Sequence, residues 1–238
     1  MIYRFSTLSS TNDEARRPLY RHGDIILADF QSAGRGQRGH TWSSRRAENL
    51  TFSVVLTPSF LAATEQFLLS EVVALALVDT LTLYGIEAQI KWTNDIYVGE
   101  KKITGVLIEQ NLSSGVISRS IVGIGINVNQ REFDKSLPNP VSIAQILGHD
   151  IDREELIDKF YAALMARYSL LESGDKESIQ RDYHERIYRL GVESPFRLPR
   201  GEEIRGTIRG VRPSGELLIE HADMEVKEYL FRQIEFVI

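Results

Sequence analysis

A glycine-rich stretch near the N-terminus, Gln31-Ser32-Ala33-Gly34-Arg35-Gly36-Gln37-Arg38-Gly39-His40-Thr41-Trp42, is the starting point for predicting the fold. Glycines allow the backbone to adopt positive φ and to bring its amides close to a ligand, and the arginines add positive charge. The apolar runs at 24–30 and 50–57 are each typical of a buried strand. The pattern predicts a loop between two sheet strands that closes over an anion. Glycine with arginine also forms solvated turns, so this stretch alone leaves both interpretations open.

Composition and charge narrow the class of protein. The chain has 238 residues, of which 42% are hydrophobic and 26% charged, as in soluble globular proteins with one large domain or a large and a small one. The net charge of -5 disfavours a broad nucleic-acid-binding surface, because such binding depends on neutralising phosphates. Cysteine is absent, which excludes disulfides and thiol nucleophiles. Without a signal-peptide core or a bilayer-spanning run, we expect a cytoplasmic protein with no nucleic-acid or membrane partner.

A second motif, Lys91-Trp92-Thr93-Asn94-Asp95, is followed by Lys102 and Gly105. Together the two motifs resemble the biotin protein ligase family, whose signatures are a GRGxxGxxW loop and a KWPND strand end with a lysine beyond the next turn. The resemblance extends to Ser10-Thr11-Asn12 and to Gly123-Ile124-Gly125-Ile126-Asn127, so it covers nearly the whole chain. Two positions depart from the family pattern. Gln37 stands where several members have an arginine that is associated with holding the adenylate, and Thr93 replaces the usual proline.

The resemblance implies an α+β fold, in which a class II synthetase-like mixed β-sheet with flanking helices forms the catalytic domain. The residue patterns agree with this, because successive hairpins predict a largely antiparallel sheet. Thr11 followed by Glu14 predicts a capping box at the start of a first helix. Further helices are predicted at 64–84, 142–147, 152–172 and 176–190.

The chain after residue 190 has a different pattern. Short apolar segments alternate with turn residues at 199–201, 213–215 and 221–223, which predicts a small β-barrel. The resemblance implies that this barrel is SH3-like. We therefore expect a catalytic biotin- and ATP-binding ligase domain at 1–190 and a small C-terminal barrel domain at 191–238.

The resemblance also implies a two-step reaction. Biotin is activated with ATP as biotinyl-5'-AMP and is then transferred to a specific lysine of a biotin carboxyl carrier domain of the acetyl-CoA carboxylase type. ATP and Mg2+ are the implied cofactors, and biotin is the substrate. Because a carboxylate must approach a polyphosphate, the first step needs fixed positive charge and oriented amides at the α-phosphate. A homodimer is compatible with the resemblance, and the sequence does not determine the oligomeric state.

By the same resemblance, the candidate site residues divide into three groups. The expected catalytic residues are Lys102, Asp95, Lys91 and Arg35. The expected biotin contacts are Ser10, Thr11, Asn12, Gln31, Gly34, Arg35, Lys102 and Gly105. The expected contacts to ATP or the adenylate are Arg35, Gly36, Gln37, Arg38, Gly39, Trp42, Lys91, Asn94 and Asn127. For Asp95 the sequence leaves three roles open, which are to orient the incoming amine, to deprotonate it, or to neighbour Mg2+.

Three other functions share parts of this pattern. A lipoate-protein ligase has the same fold and two-step chemistry, but the GRGxxG and KWxND motifs disfavour it. A biotin-responsive repressor needs an N-terminal helix-turn-helix domain. Ser10 lies so near the N-terminus that we expect no such domain and the short monofunctional form. A non-catalytic biotin-binding module would not need Lys91, Asp95 and Lys102 together.

Overall fold

The larger sheet of the computed structural model, which describes residues 1–238 apart from the side chain of Arg38, has seven strands. They are β1 (Ile2–Phe5), β2 (Ile25–Ala28), β3 (Leu50–Leu56), β4 (Gln89–Lys91), β5 (Asp95–Val98), β6 (Lys101–Ser113) and β7 (Val116–Ile126). Their order is β1-β2-β3-β7-β6-β5-β4, and only the β1–β2 pair among these described strands is parallel. The predicted mixed, largely antiparallel sheet is confirmed, and β1 and β5 are additional strands that the sequence patterns did not predict.

Helices α2 (Phe67–Thr82), α4 (Arg153–Glu172) and α5 (Lys176–Glu185) pack together on one face of this sheet. Nearly every residue of α2 is buried, whereas α4 buries the stripe that the sequence predicts, Leu156, Phe160, Leu164, Tyr168 and Leu171. The short helix α3 (Ile143–Leu147) begins at Ser142 with a capping box to Gln145. The last predicted helix ends at Glu185 and not at residue 190.

Helix α1 (Thr11–Ala15) lies on the opposite face, which we call the α1 face. Successive side chains of a strand point to opposite faces of the sheet. The side chains on the α1 face form a smaller buried cluster of Ala15, Tyr20, Ile26, Val55 and Ile121. The predicted capping box of Thr11 and Glu14 is wrong. Ser10 is the N-cap and makes no side-chain cap bond, and the Thr11 hydroxyl lies 2.8 Å from that of Ser53. A tertiary partner therefore replaces the local one.

A second, antiparallel sheet forms the C-terminal part, where the sequence predicts a small β-barrel. Its strands are β8 (Glu193–Arg197), β9 (Glu203–Val211), β10 (Leu217–His221), β11 (Val226–Tyr229) and β12 (Glu235–Phe236), in the order β11-β10-β9-β8-β12. Phe196, Ile208 and Ile219 of this sheet belong to the same hydrophobic cluster as the larger sheet and α2. In the part of the chain that the structure describes, no helix has the length and apolar character needed to cross a membrane.

Candidate active site

Three glycines leave part of the α1 face bare and form the floor of a cavity. Gly105 of β6 pairs with Gly125 of β7, and Gly123 lies two residues along on the same face. A Cβ at Gly125 would lie 2.1 Å from the Trp42 indole, and one at Gly123 would lie 2.1 Å from Oδ1 of Asn12. Glycine is therefore required at both positions, because two side chains lie directly against the sheet backbone.

The cavity above this floor has a volume of about 470 Å³ and brings together most of the predicted site residues. Three of the predicted residues, Gly34, Gly39 and Asn127, are not among the described residues that line it. The side chain of Arg38 falls outside the described part of the structure. The predicted residues that do line the cavity are Ser10, Thr11, Asn12, Gln31, Arg35, Gly36, Gln37, Trp42, Lys91, Asn94, Asp95, Lys102 and Gly105.

One end of the cavity carries Lys91, Asp95 and Lys102. Lys91 of β4 pairs directly with Asp95 of β5, so both side chains lie on the α1 face. A register shift between Ile96 and Tyr97 then pairs Tyr97 with Lys102. Such a bulge redirects a side chain, and it brings Nζ of Lys102 to 2.7 Å from Oδ1 of Asp95. The hairpin thus fixes an ammonium group inside the cavity.

The Lys91 ammonium lies between two aromatic rings. Its Nζ is 5.1 Å from the ring centroid of Tyr97 and 5.1 Å from that of Phe236, which is within cation–π range. Burial lowers the pKa of Lys91 below its ordinary value, although the nearby Asp95 carboxylate acts in the opposite direction. Because Phe236 belongs to β12, the C-terminal sheet supplies one wall of the site.

The glycine-rich loop between β2 and β3 forms a short hairpin, at the place that the sequence predicts. Arg35 and Thr41 form an antiparallel bridge, and the Trp42 amide donates to the Gly34 carbonyl at 2.9 Å. A Cβ at Gly34 would lie 2.3 Å from the Trp42 carbonyl oxygen, so this position also requires glycine. A short 3₁₀ helix, Gln37–Gly39, forms the tip. The hairpin holds Trp42 against the cavity floor.

The other end of the cavity offers hydrogen-bonding groups at the start of α1. The Thr11 amide donates to Oε1 of Gln31 at 2.7 Å, and Nδ2 of Asn12 donates to Oε2 of Glu109 at 2.9 Å. The Ser53 hydroxyl lies 2.6 Å from Oδ1 of Asn12. Thr11 and Asn12 thus form one connected polar group with Gln31 and Ser53, which lie far from them in sequence.

Two predicted nucleotide contacts have partners within the protein. Asn127 is buried, and its Nδ2 donates to the Val141 carbonyl at 3.0 Å. Nδ2 of Asn94 donates to the Val106 carbonyl, and the Thr93 hydroxyl donates to Oδ1 of Asn94 at 2.9 Å. The peptide bond before Thr93 is cis. A nucleotide contact of Asn94 or Asn127 stays a prediction.

Comparison with known proteins identifies the family. The model of the Biotin/lipoate A/B protein ligase family matches residues 4–127, which is more than half of the 238 residues. The chain belongs to this family. A curated relative, the Biotin--[acetyl-CoA-carboxylase] ligase of Paracoccus denitrificans, is 33% identical over 221 residues, covering 88% of this chain and 90% of the relative.

Longer members of the biotin/lipoate ligase family also match. The bifunctional ligase/repressor BirA of Salmonella typhimurium is 32% identical over 221 residues, and that of Escherichia coli is 32% identical over 207 residues. These matches cover 90% and 84% of this chain, which spans 67% and 62% of the length of the two relatives. The biotin protein ligase of Aquifex aeolicus, solved in complex with biotin and ATP, has a TM-score of 0.85 at 28% identity. The structural match covers 99% of this chain and 98% of the Aquifex chain. The fold is therefore the biotin protein ligase fold.

In this family member, the site contains residues that the sequence did not indicate. Phe231, Ile234, Glu235 and Phe236 of the C-terminal part line the cavity. No motif connects them to the N-terminal residues, because the contact exists only after the two sheets pack together. The described residues include no group of three or more His, Cys, Asp or Glu side chains that could hold a metal ion. Asp95 is a single carboxylate that already pairs with Lys102.

Proposed function

We propose that this chain is an ATP-dependent biotin protein ligase, which forms biotinyl-5'-AMP and transfers biotin to a lysine of a biotin carboxyl carrier domain. The strongest support is a single cavity with a hydrogen-bonding end at residues 10–12 and a cationic end at Lys91 and Lys102. Biotin joined to a nucleotide matches these two ends. Its polar ring system suits the hydrogen-bonding end, and its carboxylate tail with the attached phosphate suits the cationic end. The similar Aquifex ligase, solved with biotin and ATP, is in accord with this.

In the first step, a carboxylate oxygen of biotin attacks the α-phosphorus of ATP, the bond to the bridging oxygen breaks, and pyrophosphate leaves. The ammonium groups of Lys102 and Lys91 supply positive charge where two anions must meet. The ion pair of Lys102 with Asp95, at 2.7 Å, holds one of these charges in place before the substrates bind. Charge that is already oriented stabilises the transition state without reorganisation.

In the second step, the ε-amine of the acceptor lysine attacks the carbonyl carbon of the mixed anhydride, and AMP leaves. The amine must give up a proton as the new amide bond forms. The carboxylate of Asp95 lines the cavity beside Lys102, so we assign to Asp95 the orientation of this amine. The side chain of Trp42 and the glycine-rich loop would shield the anhydride from water.

Mg2+ fits this site only as an ion that arrives with the nucleotide. It prefers one or two carboxylates together with substrate phosphates, and Asp95 is the carboxylate beside Lys102 in the cavity. When bound, Mg2+ would offset phosphate charge. The carrier, the need for Mg2+, a homodimer and a cytoplasmic location remain predictions from the sequence.

The direct test is incubation with ATP, radiolabelled biotin and an apo-carrier domain. We expect ATP-dependent label on the carrier, and none on a carrier whose acceptor lysine is changed to arginine. A parallel reaction with lipoate in place of biotin tests the alternative within the family. Lipoate transfer without biotin transfer would make the chain a lipoate-protein ligase, and no transfer of either would contradict both activities.

A further inference from the structure

A second cavity lies between α2, α5 and the end of β9, and we call it the α2–α5 cavity. Its volume is about 270 Å³, and none of the described residues that line it also lines the candidate active site. Helix α2 contributes Glu71, α5 contributes Gln180 and Tyr183, and β9 contributes Val211. The α2–α5 cavity is therefore a separate feature, at the junction of the helices with the C-terminal sheet.

The α2–α5 cavity contains a buried carboxyl group without a protein partner. Glu71 is 3% exposed, and its Oε2 has no hydrogen-bond partner among the described residues. Burial raises the pKa of Glu71 from 4.5 to about 8. Arg181 and His184 also line the cavity, but Nη2 of Arg181 pairs with Asp182 at 3.1 Å, and Nε2 of His184 lies 3.0 Å from the Arg209 carbonyl oxygen. Within the described structure, the protein thus removes this carboxyl group from water without giving it a cation.

Two other polar groups line the α2–α5 cavity without a protein partner. The Tyr183 hydroxyl is buried and has no hydrogen bond among the described residues. Burial, with a smaller contribution from the nearby Glu71, raises the pKa of Tyr183 above its ordinary value. The half-buried Gln180 makes no side-chain hydrogen bond in the described structure. Because nearly all buried polar groups in native proteins are hydrogen-bonded, three unpaired groups around one cavity are typical of a ligand site.

The lining of the α2–α5 cavity indicates the class of ligand. A metal ion is disfavoured, because Glu71 is a single carboxylate and the described residues include no group of three or more His, Cys, Asp or Glu side chains that could hold one. A primary ammonium has three N–H donors, which match the oxygens of Glu71, Tyr183 and Gln180. Ile187 and Val211 add apolar surface that suits a short carbon chain.

We propose that the α2–α5 cavity is a binding site for a small primary alkylammonium, whose charge pairs with the Glu71 carboxylate. Its other N–H groups donate to the Tyr183 hydroxyl and the Gln180 side-chain oxygen, and its carbon chain contacts Ile187 and Val211. This site goes beyond the proposed ligase function and does not depend on it.

The test is an NMR titration with isobutylammonium chloride, using protein that is isotope-labelled at the isoleucine and valine methyl groups. It is run at about pH 8, where about half of the Glu71 carboxyl groups are ionised before the ligand binds. We expect saturable shifts of the Ile187 and Val211 methyl signals, with a Kd in the millimolar range that is usual for so small a ligand.

Two other solutes separate charge recognition from weaker effects. Isobutanol has the same carbon chain without the charge and should bind at least about tenfold more weakly, because hydrogen bonds to charged groups are stronger than those between neutral ones. Sodium chloride at matched concentration should give no saturable shift of these methyl signals, since it changes only the ionic strength.

Three variants identify the partners. Glu71→Gln keeps the shape but removes the charge, so it should weaken isobutylammonium binding by at least about tenfold. Glu87→Gln, which changes an exposed carboxylate outside the cavity, should bind like the wild type. Tyr183→Phe removes only a hydroxyl and should weaken binding by about threefold or more, which gives a second measurement if Glu71→Gln fails to fold.

Three outcomes would overturn the proposal. The first is the absence of a saturable shift at Ile187 and Val211 in the wild type. The second is wild-type affinity in Glu71→Gln, or in Tyr183→Phe if only that variant folds. The third is equal binding of isobutanol and isobutylammonium, which would make the cavity a neutral space that accepts any small solute. None of these outcomes affects the proposed ligase activity, which is measured separately by biotin transfer.

Discussion

At the scale of single residues, the position of Lys102 depends on the register shift between β5 and β6. Lys102→Ala should lower biotin-dependent pyrophosphate exchange by at least about a hundredfold, because its charge is needed where phosphate charge shifts in the transition state. Biotin affinity, measured by calorimetry, should change little, since the polar group at Thr11 and Gln31 is separate. The exposed neighbour provides the control, Lys101→Ala, which should exchange like the wild type. Pyrophosphate exchange near the wild-type rate in Lys102→Ala would show that Lys102 is a solvated lysine outside the reaction.

Glu71 illustrates a residue whose burial affects stability. It lies in α2, is 3% exposed, and its Oε2 has no hydrogen-bond partner among the described residues. Burial raises the pKa of Glu71 from 4.5 to about 8. A carboxyl group with a raised folded pKa stabilises fully below its unfolded pKa, and this contribution is lost as the pH rises through the folded pKa. The affected window therefore runs from about pH 4.5 to about pH 8.

Glu71→Gln removes this titration. Its free energy of unfolding, measured with urea from pH 5 to pH 9, should fall less with rising pH than that of the wild type. The difference between the two slopes should accumulate to a few kcal/mol, on the order expected for a pKa shift of this size. Glu87→Gln, which changes an exposed carboxylate, should reproduce the wild-type slope. Equal slopes in the wild type and Glu71→Gln would mean that Glu71 is solvated in solution.

Some site residues could be predicted from the sequence and others could not, for physical reasons. Lys91, Asp95 and Lys102 occur within twelve consecutive residues, on the adjacent strands β4, β5 and β6, so a short motif contains them all. Glu109 differs, because the donors that hold its carboxylate, on α1 and the glycine-rich loop, are brought together only by the fold. An acidic residue directly after the apolar run 106–108 was its only signal.

At the scale of elements, the bare patch on β6 and β7 decides where the site lies. A methyl group at Gly125 would overlap the Trp42 indole, so Gly125→Ala should displace Trp42. We expect a loss of about 1–3 kcal/mol in unfolding free energy, as for other overpacked sites. Trp42→Ala in the same chain should remove the overlap, so the double variant should be less destabilised than the two single losses added together. Urea unfolding of the three variants measures this, and strictly additive losses would contradict the packing described.

The elements themselves were predicted well where the pattern was long. The stripe of α4 repeats over about four turns, and β3, β6 and β7 are long enough to show strand periodicity. The capping box at Thr11 failed because Ser53, more than forty residues away, competes for the same hydroxyl. β5 was missed because it has only four residues and directly follows a turn.

At the scale of the whole molecule, the C-terminal sheet takes part in the site through Phe236. Phe236→Leu should admit water to Lys91 and raise its pKa toward the ordinary value, because burial is what lowers it. The alkaline decline of kcat/KM for adenylate formation should then move to higher pH, and the rate near neutral pH should fall by about tenfold as the ammonium becomes less well positioned. Val226→Ala, on the exposed strand β11, is the control. If the alkaline decline of kcat/KM is unchanged in Phe236→Leu, the ionisation of Lys91 does not control the rate of adenylate formation.

The two sheets are also joined through Trp92, whose Nε1 donates to the Gly215 carbonyl at 2.9 Å. One hydrophobic cluster continues across the expected division at residue 190. The division into domains 1–190 and 191–238 therefore stays a prediction. Turn residues predicted the second sheet well, but its docking depends on surface shape, which no short sequence pattern contains.

The position of Trp42 has a practical consequence. The chain has only two tryptophans, and both line the cavity. Trp92 is anchored by its bond to Gly215, whereas the Trp42 indole nitrogen is buried with no partner among the described residues. A ligand that shifts Trp42 would change its surroundings and hence its ultraviolet emission. The molecule thus contains its own optical reporter, and Trp42→Phe, which leaves Trp92 as an internal reference, would assign the signal without any added dye.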